Sequence, residues 1–366
     1  MRIEELKAAL ARIEDPRRTT KGNILHKLED IIIIGLCSLI CNGNDFVDME
    51  EFGEARKEWL KQFLELPNGI PDSDTFRRVF ERLNPQSLAE CLYDWLEEHR
   101  CEGKVVAVDG KTIRGSESSK HRAYHVVSAF VAENQLTLGE VVVDEKRNEI
   151  TAVPELLELI EVKGSIVTAD AMSCQKEIAR TICDKQADYV LALKGNQPAL
   201  LDNATLYFQE FEQALPVCTT LEKDHGRIEQ REYRLATDIS WLPECDKWAG
   251  LNALGMVKAK RSIGEETSCE TRYFLTTLED VNRFAYAVRK HWSIENQLHW
   301  CLDVIFEEDA SRVRKDFSPL NLNVLRKTAL ALCKSANMGK RVSLQKKRFR
   351  ASLSPDAFLF ILFGVS

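Results

Sequence analysis

The spacing of apolar positions changes along the chain, and each change marks a different kind of element. Up to about residue 95, apolar side chains recur at three- and four-residue intervals, the helical period. Leu25-His26-Lys27-Leu28 leads into the apolar run Ile31–Cys41, read as a buried helix because it is too short to span a bilayer. Met49–Leu64, Thr75–Leu83 and Ser87–His99 are further predicted helices. Leu66-Pro67-Asn68-Gly69-Ile70-Pro71 and Asn84-Pro85 break the pattern, and Asp72, Ser73 or Asp74 can cap the helix that follows the first break.

From Lys104 the pattern turns to strands. Lys104-Val105-Val106-Ala107-Val108-Asp109 reads as a buried strand ending in an acid, and Ala123–Ala132 with Gln135–Val143 as a hairpin across Glu133-Asn134. Ile150–Val162 is helical, with Val153, Leu156, Leu157 and Ile160 on one face. Gly164–Asp170 is another strand ending in an acid, Cys174–Lys185 a helix and Tyr189–Leu193 a strand. This order predicts an α/β fold, a mixed sheet with helices packed on it. Residues from about Leu221 to Leu278 are β-rich, and alternation in Gly226–Leu235 puts Arg227, Glu229, Arg231 and Tyr233 on one face.

A further helix follows, through Tyr286 to Trp300, with Phe284, Val288, Trp292, Leu298 and Leu302 at helical spacing. Thr277 can cap it, with Glu279 and Asp280 in its first turn. Glu295 stands among its aromatic and apolar residues. Such a carboxylate needs a partner; Arg289, His291, His299 and a metal ion are the candidates, and the plain alternative is a solvated helix residue.

Composition narrows the class. The charged fraction of 29% and hydrophobic fraction of 44% are those of a soluble globular protein. The eleven cysteines form no CxxC pair, which favours reduced thiols in a cytoplasmic protein over a zinc or disulfide framework. Met1-Arg2-Ile3-Glu4-Glu5 has no signal-peptide pattern. The net charge of −7 is unevenly spread: Arg312 to Arg350 contains twelve Lys or Arg against one acid, Asp316. A basic segment on an acidic body fits phosphate contact as well as a solvated surface. Pro16-Arg17-Arg18 and Lys21 can likewise touch DNA or merely lie on a helical bundle.

Two strands thus end in Asp109-Gly110 and Asp170-Ala171, where the small neighbour lets a ligand reach the backbone. Taken singly, Asp109 can be a turn residue and Asp170 a helix cap. Ligands of open α/β sheets bind beyond strand ends. With Glu295 alongside, three carboxylates converge, and oxygen-seeking cations would offset their repulsion. Two such ions, roughly 3.5–4 Å apart, activate an attacking oxygen and stabilise a leaving one in phosphoryl transfer. No P-loop or GxGxxG competes.

Four blocks carry a family resemblance: Asp15-Pro16-Arg17 with His26–Asp30; Val106–Gly115; Thr168–Met172 with Tyr189–Gln197; and His291–Asp303 with Phe306–Arg312. In these blocks the chain resembles the DDE transposases of bacterial insertion sequences, specifically the H-repeat-associated group within the wider IS-four type. The resemblance implies a ribonuclease-H-like catalytic domain over 99–310 with a β-rich insertion at about 215–278. It also implies a helical N-terminal domain over 1–98, which leaves 311–366 as a basic C-terminal segment. The catalytic and metal-binding acids fall on Asp109, Asp170 and Glu295, and the family's Tyr and Arg on Tyr286 and Arg289. The lysine that follows the glutamate by two turns in the wider group is replaced by Leu302, with Asp303 beside it. Asp303 can assist metal binding or pair with Arg312 or Arg314.

The implied activity is Mg²⁺-dependent cleavage and strand transfer at the ends of an insertion sequence, with Mn²⁺ as a substitute and two ions at work. Its partners would be double-stranded DNA, as inverted-repeat ends and target, and a second copy of the chain. Lys111, Lys194 and Arg289 are candidates for phosphates near the cut, Arg227 and Arg231 for the DNA backbone. A nuclease that cuts without joining, an inactive DNA-binding relative and an acidic scaffold with a basic tail remain as alternatives.

Overall fold

The computed structural model describes residues 2–17, 24–96, 103–119, 121–143, 148–224, 226–339 and 342–364. Arg18, Lys21 and the end of the predicted Ser87–His99 helix lie outside them.

The first part is helical, as its period predicts: α1 (Arg2–Leu10), α2 (Leu28–Ile40), α3 (Phe46–Ala55), α4 (Lys57–Leu60), α5 (Ser73–Phe80) and α6 (Pro85–Leu96). The predicted Met49–Leu64 helix is split at Arg56, and Asp72 is the residue that caps α5, accepting from the Thr75 amide. Then come β1 (Val105–Ile113), β2 (Tyr124–Val131), β3 (Leu136–Val143), α7 (Glu149–Leu159), β4 (Ile166–Ala169), α8 (Lys176–Asp184) and β5 (Asp188–Leu193). A helix not foreseen, α9 (Pro198–Phe211), precedes β6 (Val217–Asp224), β7 (Arg227–Ala236), β8 (Ala253–Ile263) and β9 (Glu266–Thr276).

All nine strands form one mixed sheet, ordered β3-β2-β1-β4-β5-β9-β8-β7-β6. The β1–β4 and β4–β5 pairs are parallel and the others antiparallel. The β-rich insertion therefore extends the same sheet through the β5–β9 pair. One face of β1 gives Val106 and Val108 to a core shared with α7, α8 and α9; the other gives Ala107 to a second core. That second core is built jointly by α1–α6 and the C-terminal helices α12 (Ser318–Ser335), α13 (Leu344–Leu353) and α14 (Pro355–Phe363).

The basic segment departs from a charged surface stripe. Arg326 and Lys327 on α12 and Arg348 on α13 are buried; Lys327 and Arg348 have close internal partners, whereas Arg326 reaches only the Asn44 carbonyl (3.4 Å) and Glu308 (3.8 Å) and leaves its Nε without a hydrogen bond. Lys327 donates to Glu140 (2.6 Å) and Ser128 (2.8 Å), while Tyr93 donates to the same carboxylate (2.7 Å). Arg348 donates to the Leu39 and Ile305 carbonyls and lies over the Phe306 ring. A buried charge is tolerated only when paired and hydrogen-bonded, which is why these cations sit where partners are fixed. Arg312, Arg314, Lys346 and Arg350 are exposed.

The long helix predicted around Glu295 is three pieces. Asp280, rather than Thr277, caps α10 (Val281–His291) through the Asn282 and Arg283 amides. A π-helical turn, Ile294–His299, then carries Glu295, and α11 (Trp300–Val304) follows. π-turns inside helices are uncommon and favour functional sites. Here the widened turn gains an outside support, because the Lys334 ammonium donates to the Gln297 carbonyl (2.5 Å).

Candidate active site

The register of β1 and β4 places the first two acids. Their last paired residues are Val108 and Ala169, so Asp109 and Asp170, one step further on, stand side by side. Adjacent strands lie about 4.8 Å apart. β4 ends there, but β1 does not: it continues beside β2 to Ile113. Asp109 is thus a residue within a strand that has just lost one neighbour, and the predicted strand end at Asp109 is four residues early. Asp170 accepts from the Met172 and Ser173 amides (3.0 and 3.3 Å), which fixes its turn. Asn196 and Gln197 brace that turn by donating to the Ala171 and Cys174 carbonyls (2.6 and 3.0 Å). Their polar side chains directly after β5 are the sequence signal for this bracing.

Asp109 is largely buried, and its carboxyl is pushed up to about 7. Burial is the main cause; the charges of Asp170, Glu149 and Glu295 add to it, and a Gly110 backbone hydrogen bond opposes it. Glu295 adds its charge to Asp109, but it is exposed and forms no ion pair among the described residues. None of its three proposed partners pairs with it. Arg289 makes a two-pronged contact with Glu222 (2.7 and 2.9 Å), and His291 Nδ1 meets the Thr168 hydroxyl (3.0 Å). His299 Nδ1 lies 3.6 Å from the Asp109 carboxylate.

The space above Gly110 is not open to a ligand's backbone approach. A Cβ there would lie 2.3 Å from Glu149 Oε1 and 2.5 Å from His125 Nε2. The sequence assigns neither residue a part: Glu149 lies just before the predicted Ile150–Val162 helix and His125 within the predicted Ala123–Ala132 strand.

Asp303 pairs with Lys111 (2.7 Å) rather than with Arg312 or Arg314. Lys111 also meets the fully buried Glu308 (2.7 Å), which accepts from Asn323 (2.7 Å) and faces Arg326 (3.8 Å). Asp109 and Lys111, two apart on β1, share a face. Lys111 is therefore tied into an ion-pair network below the site. Tyr286 donates to Glu133 (2.7 Å), and Lys194 is exposed. Arg227 and Arg231 pair with Glu229 (3.4 and 2.7 Å) on the wall of a cavity of about 380 Å³ that reaches Trp292, Arg289 and Glu295. Trp292 lies in that wall with the Arg272 guanidinium 4.7 Å above its ring.

Among the described residues no three His, Cys, Asp or Glu side chains close around one point. The donor set nevertheless fits a hard divalent cation: it offers carboxylate oxygens only, and Asp109 carries a crowding of negative charge that a cation would relieve.

One prediction concerns pH. Burial, with a smaller push from Arg272, holds the His291 imidazole down at about 4, against 6.5 unfolded. The unfolded chain then binds the proton more tightly, so stability is full above pH 6.5 and falls as pH drops toward 4. The contribution is on the order of 3 kcal/mol. In His291→Gln, thermal melting should lose that part of its slope between pH 6.5 and 4.

Comparison with known proteins settles the family. The "Transposase DDE domain" family model matches residues 100–332, and the model described as DDE_Tnp_1-associated matches 7–96. The chain belongs to the DDE transposase family. "Putative transposase YncI" of Escherichia coli O157:H7 is 38% identical, over 97% of this chain and 93% of its own length. "H repeat-associated putative transposase YhhI" of Escherichia coli (strain K12) is 34% identical over 100% of this chain and 99% of its own. "Inactive transposase YbfQ" of the same strain is 35% identical but spans 22% of this chain. The resemblance to the H-repeat-associated group and the mixed α/β fold with a helical N-terminal part both hold. This DDE transposase has, among its described residues, no helix long and apolar enough to cross a membrane. Its family implies DNA binding and a divalent metal.

Proposed function

We propose that this transposase cuts the ends of its insertion sequence and joins them to target DNA, with Asp109, Asp170 and Glu295 holding Mg²⁺ or Mn²⁺, two ions in all. The observation that carries the reading is the placement of Asp109 and Asp170 one step past the last paired residues of the parallel strands β1 and β4, with the charge of Glu295 bearing on Asp109 from a helix. When bound, the ions would lower the barrier by activating the attacking oxygen and stabilising the leaving one. The chain's own residues do the positioning. The Met172 and Ser173 amides fix Asp170. His299 lies against Asp109 and limits its rotation. Lys334 supports the turn that presents Glu295.

For DNA, exposed Lys194 and the arginine-lined cavity wall with Arg227, Arg231 and Arg289 are the proposed backbone contacts. Tyr286 and Arg289 would exchange their present carboxylate partners for phosphate. Lys111 takes the part of an internal clamp, since three carboxylates already surround it. Joining two ends in one event calls for a homodimer in the DNA complex.

The test is incubation with duplex DNA carrying the gene's flanking sequence, with Mg²⁺, Mn²⁺ or chelator. The expected result is metal-dependent cleavage at discrete ends followed by strand-transfer product. Cleavage that never yields joined product would instead identify a nuclease. Binding without cutting under either metal would sink the active-enzyme reading and leave an inactive DNA-binding relative.

A further inference from the structure

We propose that Arg114, Arg122, Arg312 and Arg314 form a phosphate-binding surface that holds the backbone of duplex DNA beside Asp109 and Asp170. The inference rests on the DNA-joining reading above and gives it a surface that reading does not use.

Two segments far apart in the chain make this surface: the connection from β1 to β2, residues 114–123, and the stretch 311–317 that leads into α12. Their backbones are tied together. A Cβ at Gly115 would lie 2.6 Å from the Ser311 carbonyl oxygen and 2.9 Å from that of Glu308, so only glycine lets the segments meet. Arg314 Nε donates to the Gly115 carbonyl (3.2 Å), and the His121 ring spans the Arg122 and Arg314 carbonyls (2.9 and 3.0 Å). The Tyr124 hydroxyl donates to the Asp316 carbonyl (3.1 Å). Inside the β1–β2 connection, the buried Ser116 hydroxyl donates to the Ile113 carbonyl and accepts from the Tyr124 amide (2.6 and 2.9 Å).

These contacts fix the backbone and leave the guanidinium groups almost unused. All four arginines are exposed. The side chains of Arg122 and Arg312 make no hydrogen bond or ion pair among the described residues, although Glu117 and Asp316 are exposed in the same two segments. Arg114 has one distant carboxylate, Asp309 at 3.8 Å, and Arg314 commits only its Nε. Unpaired cations alone are an ordinary surface. Here they stand on a pinned backbone, so pairing them with a polyanion costs little further ordering, and the guanidinium fork matches phosphate oxygens two at a time.

Position supplies the ligand. β1 runs from Asp109 to Ile113 and Arg114 follows directly. Those four steps of strand cover roughly 13 Å, the length of about four base pairs of duplex. DNA with a phosphate at Asp109 therefore carries further phosphates within reach of the arginines. Asp309, between Lys111 (4.0 Å) and Arg114 (3.8 Å), joins this surface to the ion-pair network of the site.

The experiment is fluorescence anisotropy of the full-length protein in chelator, across a series of KCl concentrations. The probes are a labelled duplex from the gene's flanking sequence and an unrelated duplex of the same length. Arg122→Gln/Arg312→Gln should lower the slope of log affinity against log salt by about 2, close to one for each lost phosphate contact. The loss should be equal for both duplexes, since backbone contacts carry no sequence. Arg122→Lys/Arg312→Lys should keep the slope, and unchanged melting shows that the variants are folded. Lys163→Gln/Lys185→Gln removes two charges just before β4 and β5, at the opposite end of those strands from Asp170, and should bind as wild type does. A glutamine variant with the wild-type slope, or a control pair that loses as much, overturns this inference; metal-dependent cleavage by wild type then leaves the proposed function standing. Loss confined to the flanking-sequence duplex would mean base reading and overturns the backbone assignment. Wild type binding neither duplex overturns both.

Discussion

Asp109→Asn is expected to abolish metal-dependent cleavage of element-end DNA, by at least ~10³-fold, without unfolding the protein. The size follows from position. Asp109 is the acid on which the charges of Asp170, Glu149 and Glu295 all bear, so its loss removes the centre of the proposed cation site. The amide keeps the side chain's volume in a largely buried slot. It also relieves the crowding of like charges, so in chelator the variant should melt at or above wild type. Cleavage gels and melting curves on the same preparation check both halves. A variant that still cuts within tenfold of wild type would move the site away from β1.

Glu308→Ala is expected to cost about 3–5 kcal/mol of folding stability, the usual effect of removing one partner from a buried ion pair. Burial by itself would raise the Glu308 carboxyl, but Lys111 and Arg326 hold it below the usual range. Its removal leaves Arg326 buried without a carboxylate and strips Lys111 of one of its two close partners. Lys111 sits on the strand of Asp109, and Asp303 is in α11, directly after the turn of Glu295. The same substitution therefore loosens the link between the first and third acids. Urea unfolding measures the stability, and a loss under ~1 kcal/mol would show that the network carries little of the fold.

Much of this molecule was legible in its sequence, for identifiable reasons. The buried strand at Val105–Val108, the hairpin across Glu133-Asn134 and the one-sided face of α7 are short-range patterns, and each was placed to within a few residues. Arg227, Glu229, Arg231 and Tyr233 line one cavity wall, as period-two alternation requires. Other features depend on tertiary pairing and have no local signature. Asp109 looked like a strand end because the apolar run stops there, but β2 carries β1 on to Ile113. The π-turn at Glu295 has helical composition and differs only in its hydrogen bonds. The basic segment misled because charge counts ignore partners: Arg326, Lys327 and Arg348 are interior residues whose partners include the Asn44 carbonyl, Glu140 and the Leu39 carbonyl, far along the chain. The His125–Glu149 pair was hidden for the same reason, since only the turn of β2 against β1 brings Thr112, His125 and Glu149 together.

The core shared by the two ends of the chain governs how the protein is made. Ile31–Ile34 and Leu36 of α2 are fully buried in a cluster that includes Leu322, Val324 and Leu325 of α12. At roughly 5–20 residues per second, the ribosome needs on the order of tens of seconds to deliver the second half of that cluster after the first. During this interval α2 has incomplete cover, and it is a natural client for a chaperone. A gene copy cut short before α12 leaves that surface uncovered for good. Truncated copies should therefore be cleared as aggregates or by proteolysis instead of persisting as competitors for the element's ends.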